Sequence, residues 1–324
     1  MTGSGPPQLV SSLCTEASIN SKSLLGWADK IRVAWDVEHT GVAAPLHRKV
    51  WEWTFIIEAL HERGVLRPGA RGLGFRVGRD PLASVFASLG CEIVATDLDP
   101  ASARQHGWVD AGHFAMTAEE LNQYRLCRAD DFSRLVTLRT VDMNRIPADL
   151  TDFDFTWSAC AFEHLGSIAR GQRFILRQMD CLKPGGTSLH STEYNVFSDR
   201  HTISRGDTVL FRRRDIEWLA DRLRRDGHEI AVDLSFGSSP ADHYVDVPPF
   251  GGPHLKLQVG SFVSTSLALV IEKSPRAVPK RPVGRLGREW RARGGPYVAQ
   301  GRYALEQGAR SSFHCIKSRL PDFS

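Results

Sequence analysis

Gly78 and Asp97 stand nineteen residues apart, each at the end of a short apolar run. A glycine in such a place lets the backbone turn sharply and lets a ligand approach the main chain. Arg79-Asp80-Pro81-Leu82 then opens a helical pattern, so its first amides face whatever occupies the turn. An acid about 20 residues beyond the turn can bind both ribose hydroxyls of an adenosine. Asp142 ends a third run, where a carboxylate can accept from an adenine amino group, and Met143 beside it offers a soft apolar surface.

More reactive groups follow two later runs. Ser158-Ala159-Cys160-Ala161-Phe162-Glu163-His164 sets small residues, which leave room for a ligand, before an acid and an imidazole. Leu189-His190-Ser191-Thr192-Glu193 adds a second imidazole and a second acid. His164 is the first candidate for a general base, since an imidazole exchanges its proton near neutrality. Glu193 and His190 come next. They are three apart, so on a continuing strand they point to opposite faces. A carboxylate pair such as Glu163 and Glu193 could also hold a divalent metal over a diol, but no metal requirement is predicted.

The pattern of elements says what positions these groups. Residues 1–22 read as irregular. A helix is expected over Ser23–Trp35, and an amphipathic one over His47–Arg63, where Val50, Trp53, Ile57 and Leu60 recur at helical spacing. Strands are then expected at Arg71–Val77, Glu92–Thr96, Leu135–Thr140, Phe153–Ser158, Thr187–Thr192, His228–Leu234 and Ser264–Ile271. Helices are expected at Pro81–Leu89, Thr117–Tyr124, Ser167–Leu182 and Arg214–Asp226. Strands separated by helices imply parallel crossovers and a sheet covered on both faces. Ligand sites then lie at the carboxyl ends of the strands, which is where the reactive residues fall.

Composition narrows the class. Hydrophobic residues make up 42% and charged residues 24% of 324, enough to bury a core without covalent staples. The six cysteines are scattered, without zinc spacing, and are expected to be reduced. The sequence has no apolar run of about 18 residues, so no membrane span is expected. With no apolar signal core at Met1–Gln8, a cytoplasmic location is expected. From Arg276 onward eleven Lys/Arg meet three Asp/Glu, a basic extension that could meet an anionic partner. Gly72 and Gly74 do not complete a G-x-G-x-x-G dinucleotide turn, and neither a Walker sequence nor a G-x-S-x-G elbow is present.

Together the segments from about Arg71 to Ile271 resemble the class I S-adenosylmethionine-dependent methyltransferases. The matching features are the turn at Gly78, Asp97 after the second strand, Asp142-Met143 after the third, and Leu182-Lys183-Pro184-Gly185-Gly186 before the fifth. The resemblance implies a three-layer, Rossmann-like α/β sheet, mostly parallel with an antiparallel last strand and helices on both faces. It divides the chain into an N-terminal helical extension and cofactor lid (1–63), a methyltransferase domain (64–275) and the basic extension (276–324). It implies that S-adenosylmethionine is bound by Arg76, Val77, Gly78, Asp80, Asp97, Leu98, Asp142, Met143 and Ala159. The family's first turn, E/D-x-G-x-G-x-G, is reduced here: Gly74 stands where the acid belongs, and Arg76 and Asp80 stand at the flanking glycines. Glu52 or Asp80 is the expected substitute for that acid, which meets the methionine amino group. His164, Glu193 and Glu163 are the expected catalytic residues for O-methylation of a hydroxylated small molecule or glycan. An RNA methyltransferase, suggested by the basic tail, and a non-catalytic partner-binding protein of the same fold remain the alternatives.

Overall fold

The computed structural model describes residues 8–31, 47–105 and 114–276. The elements run β1 (Ser11–Leu13), α1 (Glu16–Ile19), α2 (Lys22–Lys30), α3 (Arg48–Glu62), β2 (Arg71–Phe75), α4 (Leu82–Ser88), β3 (Glu92–Asp97), α5 (Pro100–Gln105), α6 (Ala129–Leu135), β4 (Val136–Thr140), β5 (Phe153–Ser158), α7 (Ile168–Gln178), β6 (Leu182–Asn195), α8 (Arg213–Arg225), β7 (Val232–Asp233), α9 (Pro240–His243), β8 (Lys256–Val259) and β9 (Phe262–Glu272).

The strands form one sheet in the order β4-β3-β2-β5-β6-β9-β1-β7, with β8 paired to β9. β4, β3, β2, β5 and β6 are parallel, and β9 runs antiparallel to β6. Apolar side chains cover both faces. Trp51 and Phe55 of α3 and Phe86 of α4 pack on one face with Phe155 and Trp157. Phe174 of α7 and Ile216 and Leu219 of α8 pack on the other with Phe75. Burial on both sides explains the nearly continuous apolar runs that mark the central strands. The expected α/β class and the antiparallel late strand are present.

Three expectations need correction. Residues 11–13, read as irregular, form β1, which lies between β9 and β7. Leu13 is buried, and the Ser11 hydroxyl receives the Val270 amide at 2.9 Å. The strand expected over His228–Leu234 is reduced to Val232–Asp233, and β1 separates it from β9. Glu229, ahead of β7, forms an isolated bridge with Glu272 of β9. The helix expected over Thr117–Tyr124 is a short 3-10 turn, Glu119–Asn122. The later part of the Ser23–Trp35 helix and the basic extension beyond Arg276 lie outside the described residues. No helix among the described residues is long and apolar enough to cross a membrane.

The sheet grows from β2 to β3 and β4 on one side, then restarts with β5 on the other. The crevice beyond the carboxyl ends of β2 and β5 is thus the topological switch point, where ligands of open α/β sheets bind.

Candidate active site

The turn after β2 forms one wall of that crevice. Arg76 and Gly78 both take left-handed backbone conformations, with φ of 51° and 55°. A glycine adopts this freely and an arginine does not, so Arg76 holds a strained position. The Gly78 amide donates to Oδ2 of Asp97 at 3.0 Å, and the Leu98 amide donates to Oδ1 at 2.8 Å. Asp97 is buried at the end of β3; burial raises its carboxyl pKa above the usual value against the pull of Leu98, Arg76 and Gly78. Each of its oxygens retains acceptor capacity for a ligand hydroxyl. The Arg76 guanidinium reaches across the crevice and donates to the Ala161 carbonyl at 3.4 Å. Burial lowers its pKa to about 10, against the attraction of Asp97 and Glu163. In the same turn the Arg79 Nε is buried without an acceptor.

Gly72 and Gly74 lie inside β2, not in the turn. A Cβ at 74 would overlap the Trp157 indole and stand 2.5 Å from Val77 Cγ1; a Cβ at 72 would overlap Phe155. These glycines admit aromatic rings from β5. The acid absent at Gly74 is absent because its space is filled.

The opposite wall comes from α3, which packs its N-terminal half over β6 and β9. Glu52 is fully buried there. Its Oε1 accepts from Ser266 Oγ at 2.5 Å and Cys160 Sγ at 3.0 Å; its Oε2 accepts from Ser191 Oγ at 2.9 Å and Lys49 Nζ at 3.3 Å. Burial alone would raise its pKa, but Lys49, Arg48 and these donors outweigh burial and lower it. Glu52 therefore ties β6, β9 and the segment after β5 to the helix. Four side-chain donors already satisfy the carboxylate expected to take the methionine amino group. Asp80, the other expected substitute, is half-buried in the turn and within electrostatic reach of Lys49.

Beyond Cys160 the acids converge. Arg48 Nη2 pairs with Glu193 Oε1 at 2.6 Å, and Ser264 Oγ donates to Glu193 Oε2 at 2.5 Å. Glu163 is fully buried; its Oε2 accepts from Thr192 Oγ1 at 3.1 Å, while its Oε1 has no hydrogen-bond partner. Burial, with the neighbouring charge of Glu193, raises the Glu163 carboxyl to about 8. His164 donates from Nδ1 to the Asp207 carbonyl at 2.8 Å, which makes Nε2 the acceptor nitrogen of the neutral ring. That Nε2 lies 3.9 Å from Glu163 Oε1. His190 and Glu193 do face opposite ways. His190 is buried against Phe162 and Phe174 and shares a 2.7 Å hydrogen bond with Ser158, so it lies away from the acids.

Asp142 and Met143 occupy the far lip. Asp142 is exposed and its Oδ1 receives the Asn144 amide at 2.8 Å. Met143 turns into the core with Val141 and Leu150 and offers little surface to a ligand. Val77 and Ala159 are buried beside the crevice, and Leu98 is half-buried at its edge. One group escaped the sequence reading. His254 shares a 2.7 Å hydrogen bond through Nδ1 with the buried Asp246 carboxylate, stacks on His47 at 4.5 Å between centroids, and receives the Arg48 amide at its carbonyl. His254 lies in a segment without periodicity, eight residues beyond the Asp246 that orients it.

No family model and no curated protein matches the chain. Among solved structures it is similar to a Galdieria sulphuraria protein named provisionally as a sarcosine dimethylglycine methyltransferase, at 18% identity over 77% of this chain and 100% of that one, TM-score 0.45. It is also similar to an S-adenosylmethionine-dependent methyltransferase of Clostridium acetobutylicum, at 12% identity over 77% and 99%, TM-score 0.41. A third is the [4+2]-cyclase SpnF, at 18% identity over 70% and 76%, TM-score 0.41. Likeness at this level carries no argument about activity, and the three names cover two different reactions. The chain's own strand order, with β9 antiparallel beside β6, gives it the Rossmann-like fold that the class I S-adenosylmethionine-dependent methyltransferases share.

Proposed function

We propose that this chain is an S-adenosylmethionine-dependent methyltransferase. The observation that carries the reading is the Asp97 carboxylate, held by the Gly78 and Leu98 amides beside a left-handed turn at the switch point. That arrangement suits the two hydroxyls of an adenosine ribose. The buried, unpartnered Arg79 Nε in the same turn fits a ligand that brings a hydrogen-bond acceptor. Asp80 takes the amino group in this reading, which the saturation of Glu52 supports.

S-adenosylmethionine, when bound, supplies an electrophilic methyl group for in-line transfer. The protein's part is then to hold the acceptor close and aligned, which can contribute about 7–11 kcal/mol. Glu163, His164 and Glu193 converge at the ends of β5 and β6, and they suit a hydroxylated acceptor, a small molecule or a glycan, methylated on oxygen. His164 is the base in this reading, its acceptor nitrogen directed by the hydrogen bond from Nδ1 to Asp207. Glu163 and Glu193 orient the acceptor. The test is incubation of the full chain with S-adenosylmethionine and a panel of sugars, with products read by mass. A methylated sugar ether, lost in His164→Ala and in Glu193→Gln, is expected. Methylation confined to amines, or to RNA, would replace this assignment of the acceptor.

A further inference from the structure

We propose that Cys160, Glu163 and Glu193 form a zinc site. One donor atom of each, the Cys160 sulfur and a carboxylate oxygen of each glutamate, lies within 4.8 Å of the others, with Glu163 and Glu193 buried and Cys160 half-buried. The independent sign of a missing ligand is Glu163 Oε1, fully buried and without any hydrogen-bond partner. A buried carboxylate oxygen is costly to leave unpaired, and natural structures satisfy such groups with a partner, a proton or an ion.

The surroundings set the charge of that ion. Glu52, Glu163 and Glu193 bring three carboxylates against two cations, Arg48, which pairs with Glu193, and Lys49, which pairs with Glu52. Arg76 lies on the turn side, against both Asp97 and Glu163. Once ionised, Glu163 and Cys160 would add two negative charges beside Arg48 and Lys49, which already pair with Glu193 and Glu52. A divalent cation balances both. Binding releases the Cys160 thiol proton, and that of Glu163 where present, to solvent; no electron moves.

Donor chemistry selects the metal. Two carboxylate oxygens and one thiolate suit zinc, whereas calcium and magnesium take oxygen donors. Zinc holds sulfur at about 2.3 Å and oxygen at about 2.0–2.2 Å, so the donors need to close only modestly around it. Three protein ligands leave a tetrahedral ion one position, which an acceptor oxygen can fill. The Cys160 φ of 44° turns the chain sharply at the end of β5, and its sulfur, which donates to Glu52 at 3.0 Å, would give up that hydrogen bond on binding the ion. The other described cysteines, Cys14, Cys91, Cys127 and Cys181, are buried elsewhere, outside this cluster.

The site stands on its own donors and does not depend on the methyl-transfer reading. Its test is titration of the chelator-treated full chain with cobalt(II), followed by zinc. One cobalt per chain is expected, with a near-ultraviolet thiolate-to-cobalt charge-transfer band that zinc abolishes. Cys160→Ser should lose the band and weaken zinc binding at least about tenfold, and Glu163→Gln should weaken it comparably. Cys160→Ser keeps a hydroxyl for Glu52 and decides the matter if Glu163→Gln fails to fold. A wild-type chain without a thiolate band, or a band that survives in Cys160→Ser, overturns the site. Calorimetry with S-adenosylmethionine on the same samples reads the cofactor claim separately.

Discussion

Trp157 of β5 fills the space that a side chain at residue 74 would need. The absence of an acid at 74 is therefore a matter of packing, and introducing one should fail. Gly74→Ala is expected to cost about 1–3 kcal/mol through overpacking, and Gly74→Asp more, because it also buries an unpaired charge. Chemical denaturation measures both. A Gly74→Asp chain that is as stable as wild type and binds S-adenosylmethionine more tightly would contradict this account of the turn.

Glu52 and Asp80 should separate by their readouts. Glu52→Gln removes the charge facing Lys49 and Arg48 and disturbs the contacts with Ser191, Ser266 and Cys160, so stability should fall while cofactor affinity in the remaining folded protein changes little. Asp80→Asn should leave stability near wild type and weaken S-adenosylmethionine binding about tenfold, the equivalent of about 1.4 kcal/mol. Calorimetry with parallel melting curves checks both. The reverse pattern would return the amino-group role to Glu52.

The Arg48–Glu193 pair at 2.6 Å joins a half-buried arginine to a buried carboxylate, so breaking it from one side strands a charge. Burial works against the Arg48 charge, yet Glu193, Cys160 and Glu52 outweigh burial and hold its pKa raised. Arg48→Met should cost about 3–5 kcal/mol. Adding Glu193→Gln should recover part of that loss, since no stranded carboxylate then remains at 193. Strict additivity of the two losses in denaturation experiments would show that the pair is not coupled.

His190 predicts a slope of stability against pH. Burial lowers its pKa to about 3, whereas an unfolded chain titrates the same ring near about 6.5. Between those values the unfolded state binds the extra proton, so stability falls as the pH drops through that window. His190→Asn should flatten the slope between about pH 6 and pH 4 by about 1.4 kcal/mol per pH unit. An unchanged slope would mean that the ring charges within the folded protein.

The sheet was legible because its central strands are buried on both faces and read as apolar runs between turn residues. Phe153–Ser158 and Glu92–Asp97 fall within one residue of expectation. β1 was not legible: three residues are too few to show alternation, and its pairing with β9 spans most of the chain. Asp97 could be placed by its spacing from Gly78, since a strand, a turn and a helix fix that distance. The Glu52 hub could not, because Ser191 and Ser266 lie 139 and 214 residues away and only the folded sheet brings them to α3. The pairing of Glu163 with Glu193 was suggested by their two strand ends, but Cys160 as a third member was not, nor was His254, whose partner Asp246 is reached through a loop without periodicity.

The most direct test of the central claim is calorimetric titration of the full chain with S-adenosylmethionine, alongside Asp97→Ala. The account predicts saturable one-to-one binding, weakened at least about tenfold in Asp97→Ala, whose loss of a ribose-binding carboxylate is worth more than about 1.4 kcal/mol. A well-folded wild-type chain that takes up no S-adenosylmethionine, or an Asp97→Ala chain that binds it as tightly as wild type, would contradict the account.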